Sequence, residues 1–363
     1  MIWRDIMSHE HYFLGSSTSS GFVTPIGELL RDTDNTVYIF KGTAGSGKST
    51  LMKKISEAFT DKPQEIYHCS ADPYSLDAVY LPESKALIID GTAPHCIDPV
   101  YPKAVESIVD LGAYIETSKL RSARKEIVSL TDEYSGCHKR CRLCLGAVSS
   151  VIEDIEVSAR SALNTEKLSS FTDKFIKRII PKKDSKCEGR VCRKQRAAIT
   201  MNGYSSYIPE NGRIYLLTDD NIVAAAAFLC DAAAKITRKG YDVFISECYL
   251  STDRFIEHLI IPELEICFIT SNCINSLSLE SFEKHISFRR FYRSDLLTGN
   301  DALRQRIKFG KKACAEFLKE SAAALIDAKT IHDKIEEHYI AAADFDGLNR
   351  LAYKLISDIK SLG

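Results

Sequence analysis

The sequence predicts an α/β fold, duplicated, in which each copy is a parallel sheet with an appended helical module. Three observations carry this. A complete phosphate-binding loop stands between a strand and a helix near the N-terminus. A second strand ends in a carboxylate. The same order of features recurs about 180 residues later.

Val37-Tyr38-Ile39-Phe40 is a short apolar, aromatic and β-branched run, the composition of a buried strand. Gly42-Thr43-Ala44-Gly45-Ser46-Gly47-Lys48-Ser49-Thr50 follows. Leu51, Met52, Ile55, Ala58 and Phe59 then recur at helical spacing. A glycine-rich turn can simply cap a helix, but the strand before it and the helix after it favour a phosphate loop. Glycines let the backbone approach a ligand closely, and the helix N-terminus turns its amides toward phosphate oxygens. In such a P-loop NTPase sheet, Lys48 is expected to neutralise the β- and γ-phosphates and Ser49 to ligate Mg2+.

Ala86-Leu87-Ile88-Ile89-Asp90 reads as a strand buried on both faces that ends in a carboxylate. The C-terminal ends of such strands collect ligand chemistry, which places Asp90 near the Mg2+. His95, five residues on, is a candidate for polarising the attacking water, and equally a structural histidine at a strand exit. His68, Asp72 and Asp77 are further candidates, although Asp72-Pro73 and Ser75-Leu76-Asp77 are also turn and helix-start signals.

The repeat is seen where the stretch 81–90 matches 261–270, and where Val37-Tyr38-Ile39-Phe40 matches Ile214-Tyr215-Leu216-Leu217. In place of the phosphate loop the second copy has Asp219-Asp220-Asn221-Ile222-Val223-Ala224-Ala225-Ala226-Ala227. The glycines, lysine and metal-binding hydroxyl are gone, two carboxylates repel a polyphosphate, and Thr270 replaces the aspartate. The second copy is therefore expected to be a degenerate partner of the first. The expected division is an active half at 1–180 (core about 11–101, helical module about 102–180), a basic linker at 181–194, and a degenerate half at 195–363 (core about 195–300, module about 301–363). Lys119 to Glu133, Ala147 to Leu163 and Lys311 to Glu337 carry the amphipathic helical pattern.

The chain has 363 residues, 48 basic against 49 acidic, a net charge of -1. This balance argues against a general nucleic-acid or membrane-surface binder. The first fifteen residues, with Arg4, Asp5, His9 and Glu10, lack the apolar core of a signal peptide, and 222–230 is too short to span a bilayer. Twelve cysteines without an export signal suit reduced thiols, so a cytoplasmic protein is expected. Cys137, Cys141 and Cys144 have the C-x3-C-x2-C spacing of radical iron–sulfur sites, but helical flanks favour a core role. Cys187 and Cys192 match zinc spacing poorly. Arg121, Arg124, Arg289 and Arg290 are candidate arginine fingers, or solvated surface arginines.

His11-Tyr12-Phe13, Gly21-Phe22-Val23, the phosphate loop, His68-Cys69-Ser70-Ala71-Asp72 and Asp90-Gly91-Thr92-Ala93-Pro94-His95 come in this order. Together with His332-Asp333, Glu337-His338-Tyr339 and Asp344-Phe345 they resemble a family of bacterial P-loop ATPases, largely from spore-forming Gram-positive lineages. That family's physiological role is not established. The resemblance covers nearly the full chain and implies ATP-linked activity. Members of the family look duplicated with a phosphate loop in each half, and this chain departs from that in its second half. The expected activity is Mg-dependent ATP binding and hydrolysis. A nucleotide-gated interaction protein, with a protein partner, and a small-molecule kinase are the alternatives.

Overall fold

The computed structural model describes residues 9–183, 187–248, 250, 255–293 and 300–362. Arg4 and Asp5, and residues 184–186 of the expected linker, lie outside the described residues. The first half supplies β1 (His9–Phe13), β2 (Ser16–Thr18), β3 (Gly21–Val23), α1 (Gly27–Arg31), β4 (Thr36–Lys41) and α2 (Lys48–Glu57). After these come β5 (Gln64–His68), β6 (Leu76–Leu81), β7 (Ala86–Asp90), β8 (Glu106–Asp110), α3 (Thr117–Ser122), α4 (Arg124–Ala162) and α5 (Thr165–Ile179). The second half supplies β9 (Val191–Arg193), β10 (Ala197–Thr200), β11 (Gly203–Ser206), β12 (Arg213–Thr218) and α6 (Val223–Arg238). It continues with β13 (Val243–Glu247), β14 (Ile256–Ile261), β15 (Ile266–Ser271), β16 (Lys284–Ser287), α7 (Asp301–Ile340) and α8 (Phe345–Lys360).

Two six-stranded sheets have the same order. The first runs β1-β5-β6-β7-β4-β8 and the second β9-β13-β14-β15-β12-β16, read from the equivalent edge. The register agrees as well: Tyr38 pairs with Ile88 and Ser107, while Tyr215 pairs with Phe268 and Lys284. The sheets are mixed, which corrects the expectation of all-parallel ones. β6 is antiparallel to both its neighbours, and β14 likewise. A short connection such as 82–85, between β6 and β7, suits a hairpin, whereas a parallel crossover needs a dozen residues or more.

The division into cores and modules differs from the sequential one. The sixth strand of the first sheet, β8, lies beyond residue 101, and β9 lies inside the expected linker. One compact unit contains Phe22–Cys141 together with the chain from Ala322 onward; the other contains Arg142–Ser321. In the first unit Leu348, Ala352, Leu355 and Ile359 of α8 pack on Leu51, Met52 and Ile55 of α2. In the second, Leu168, Phe175 and Ile176 of α5 pack with Phe228 and Ile236 of α6. Each sheet is thus covered by the helical segment of the other half of the sequence. An amphipathic helix records that it needs an apolar face, not which sheet provides it.

The two coverings are built alike. Asn164 caps α5 by accepting from Lys167 N (2.9 Å), and Asp344 caps α8 by accepting from Gly347 N (2.9 Å). Asn164 N donates to Phe291 O and Asp344 N to Tyr114 O, each at 2.8 Å. The stretches 124–162 and 301–340 are each one continuous helix.

Candidate functional site

The loop between β4 and α2 is the centre of the candidate site. Gly45 and Gly47 adopt φ of +70° and +87°, conformations that a side chain disfavours. A Cβ on Gly42 would lie 2.4 Å from Ser46 Oγ, so that glycine is required for space. Ser46 is buried and its hydroxyl donates to Thr43 O at 2.8 Å, tightening the turn. Thr50 is exposed on the first turn of α2, and Ala44 is half-buried.

Lys48 folds back over the loop. Its Nζ donates to Gly42 O (2.6 Å) and Thr43 O (2.9 Å), and lies 3.7 Å from Asp90 Oδ2. The structure thus brings the predicted lysine and carboxylate together. Asp90 Oδ1 accepts from Thr92 N (2.8 Å) and Thr92 Oγ1, which fixes the carboxylate's orientation. Ser49 Oγ accepts from Leu76 N at 3.0 Å, the first residue of β6. Phe40 pairs with Asp90 across β4 and β7, so the strand register places Asp90 beside the start of the loop.

His95 is held elsewhere in the site. Its Nε2 lies 3.2 Å from Asp77 Oδ2, with both side chains nearly buried, and its ring meets Phe22 edge-on at 4.6 Å. His95 Nδ1 has no hydrogen-bond partner among the described residues. Asp77 and Asp90 sit at the same end of the antiparallel pair β6 and β7. Cys69 is half-buried, and desolvation, with Asp77 nearby, pushes its thiol well above the ordinary range. The remaining candidates have structural work. His68 Nδ1 donates to Pro73 O (2.8 Å) and its Nε2 meets His11 Nδ1 (2.8 Å). Burial lowers the His68 pKa to about 4, so the ring is neutral. Asp72 accepts from Tyr74 N and Ser75 Oγ, a turn.

The residues that the sequence reading did not assign come from α7. Glu336 Oε1 accepts from Gly45 N at 3.3 Å, so a carboxylate lies on an amide of the loop. A Cβ at Gly45 would meet Glu336 O at 2.8 Å and Tyr339 Cβ at 3.0 Å, so the helix closes on the loop there. His332 lies one turn earlier, 3.7 Å from Glu336 and ring to ring with Tyr134 of α4. Burial lowers the His332 pKa, opposed by Glu336, with Lys48 among the cations that add to the lowering. Lys329 lies 3.9 Å from Asp72 Oδ2, a further tie between α7 and the site. His332, Asp333 and Glu336 place one ligand atom each within 4.8 Å of one another. The helical spacing 329, 332/333, 336 was visible in the sequence, but nothing there tied that face to the loop.

Arg121 and Arg124 are exposed, on α3 and the start of α4, and Arg289 and Arg290 are exposed in the second unit. Cys137, Cys141 and Cys144 share α4, with Cys141 buried, and Cys187 is exposed. None of these belongs to a metal-ligand group among the described residues.

The equivalent loop of the second copy is filled by its own chain. Asp219, at the position of Gly42, accepts through Oδ2 from Ala224 N (2.8 Å), Ala225 N (2.9 Å) and Tyr292 OH (2.9 Å). Ile222, at the position of Gly45, keeps φ of +69°. Ala225 and Ala226 stand where Lys48 and Ser49 do, and Thr270 accepts from Asn275 Nδ2 (2.8 Å) instead of facing a lysine. No family model, no curated protein and no solved structure matches the chain. No described helix is long and apolar enough to cross a membrane.

Proposed function

We propose that the first unit binds a nucleoside triphosphate with Mg2+, ATP in the first place, and hydrolyses it slowly. The observation that carries the reading is the strand–loop–helix 36–57, with left-handed glycines 45 and 47 and with Lys48 3.7 Å from Asp90. The residues fit the group. Loop amides and the N-terminus of α2 offer donors to phosphate oxygens. Lys48 is held by two backbone carbonyls and lies beside Asp90, and its flexible stem can reach forward to a phosphate instead. Ser49 and Asp90 are the oxygen ligands a magnesium ion would take, and the ion would offset charge on the transferred phosphoryl group. Lys48 and the loop amides stabilise charge that builds on that group, and Thr92 keeps Asp90 oriented. His95, held by Asp77, is the candidate for positioning water.

A second reading is favoured by Glu336. Its carboxylate occupies a loop amide, so a phosphate entering there displaces a contact of α7. Nucleotide binding is then a signal passed to α7, and turnover is incidental.

The test is nucleotide binding and phosphate release with Mg2+ for the native chain and Lys48→Ala. Turnover that vanishes in the variant supports an ATPase. Lys48-dependent binding without turnover supports the switch. Absence of binding in the native chain overturns both.

A further inference from the structure

We propose that a cation-lined groove in the second unit binds the phosphodiester backbone of single-stranded nucleic acid. The groove lies between α5 and the edge of the second sheet, where β16 runs into the single turn Phe288–Phe291. Its volume is about 1120 Å3, above the roughly 300–1,000 Å3 of small-molecule sites. Lys167, Lys174 and Arg178 line one wall, three positions that share a face of α5. Lys284, Arg289 and Arg290 line the other. No Asp or Glu is among the lining residues. None of the six cations forms an ion pair with a described residue; Asp173 of α5 pairs instead with Lys235, at 3.1 Å. Like charges gathered in a groove without counter-charges focus a positive potential on it.

The charge is not demanded by the fold, because the first unit builds the same corner without it. At the positions equivalent to Lys167, Lys174 and Arg178, helix α8 has Gly347, Lys354 and Asp358. At those equivalent to Lys284, Arg289 and Arg290, β8 and the turn after it have Ser107, Gly112 and Ala113. Five of the six cations are thus particular to the second unit, the unit in which Asp219 fills the loop after β12.

Two features favour nucleic acid over an acidic peptide. Arg290 lies over the rings of Phe171 (4.6 Å) and Phe291 (4.8 Å), and Arg178 over Phe175 (5.3 Å). Their guanidinium groups are therefore oriented before a ligand arrives. Beside the cations, Phe282 is 44% exposed and meets the exposed ring of His285 edge-on. Ring faces next to a basic groove suit unstacked bases and give carboxylate side chains nothing. The near-neutral charge of the whole chain conceals this local excess. The proposal is independent of nucleotide hydrolysis by the first unit.

The experiment is fluorescence anisotropy of the full chain with a labelled twenty-nucleotide single strand, at low and moderate salt. The comparison is with Lys174→Gln/Lys284→Gln/Arg289→Gln, three cations without a described partner. A control variant, Lys308→Gln/Lys312→Gln/Lys319→Gln, changes the net charge equally on α7. Native binding should weaken about tenfold or more in the groove variant, and its salt slope should fall by about 2, at ~0.7 per phosphate contact. The control should bind as the native chain does. Thermal melts of both variants show that they are folded. Equal binding by groove variant and native chain, or no native binding, overturns the proposal. So does stronger binding of a duplex, or competition by polyglutamate as effective as that by unlabelled single strand.

Discussion

The loop after β4 and the loop after β12 share one position of positive φ and differ beyond it, where Gly47 at φ +87° stands opposite Ala224 of α6, and in what fills them. Gly45 and Ile222 have φ of +70° and +69°, and both loops lead into a helix whose first amides need an acceptor. In the second copy Asp219 supplies the acceptor from within the loop, buried and bonded to three amides and a tyrosine hydroxyl. In the first copy Gly42 leaves that place to something else, and the carboxylate that approaches, Glu336, belongs to a distant helix. A helix N-terminus accepts any anion of suitable shape. Whether it can serve a ligand depends on whether the chain has already filled it permanently. Repulsion by Asp219 and Asp220, the reason suggested by sequence, is therefore the lesser part; occupancy of the amides is the greater.

The most severe way to break the comparison is Gly42→Asp, which gives the first loop the acceptor of the second. A carboxylate there can reach the amides of α2, and its Cβ forces Ser46 aside. Nucleotide affinity should fall about 100-fold or more, or ~3 kcal/mol, measured by calorimetry. Unchanged affinity would show that the amides of α2 are not where phosphate binds.

Asp77 in the first copy has Glu257 as its counterpart in the second, fully buried on β14. Burial raises the Glu257 pKa from 4.5 to about 7. A carboxyl whose folded pKa is raised favours the fold in its neutral form. That stability is fully present below pH 4.5 and is lost as pH rises through about 7. The second unit should lose about 3 kcal/mol across that window, read from denaturant unfolding at pH 4.5, 6 and 8. Glu257→Gln should flatten the dependence. A native stability that rises from pH 5 to 8 would contradict the assignment.

The repeat, the loop and the Lys48–Asp90 pair were legible because each depends on local pattern or strand order. The strand pairing Phe40 to Asp90 turns two sequence motifs into one site. Four things were not legible. The antiparallel insertion of β6 depends on a hairpin at 82–85, and Leu76-Asp77-Ala78-Val79 reads the same in either direction. The placement of α8 on α2 depends on which apolar stripe meets which sheet, and the stripes of α5 and α8 are equally suited. Glu336 went unassigned for the same reason: its helix is about 290 residues from the loop in sequence. The groove cations also escaped, since a sum over 97 charged residues carries no information about place.

A smaller effect tests whether Glu336 is the first copy's removable counterpart of Asp219. Glu336→Gln keeps the shape of the side chain and removes the charge that would compete with a phosphate at Gly45 N under the proposed function. Because the contact is long, at 3.3 Å, and the carboxylate is one-third exposed, the competition is modest. Nucleotide affinity should rise about five-fold, near 1 kcal/mol. Phosphate release decides between the two readings of the first unit. If turnover rises with affinity, Glu336 only occludes the loop. If affinity rises while turnover falls, Glu336 also acts in the reaction, and α7 belongs to the catalytic site. Unchanged affinity would remove Glu336 from the comparison and leave Asp219 as a filling peculiar to the second copy.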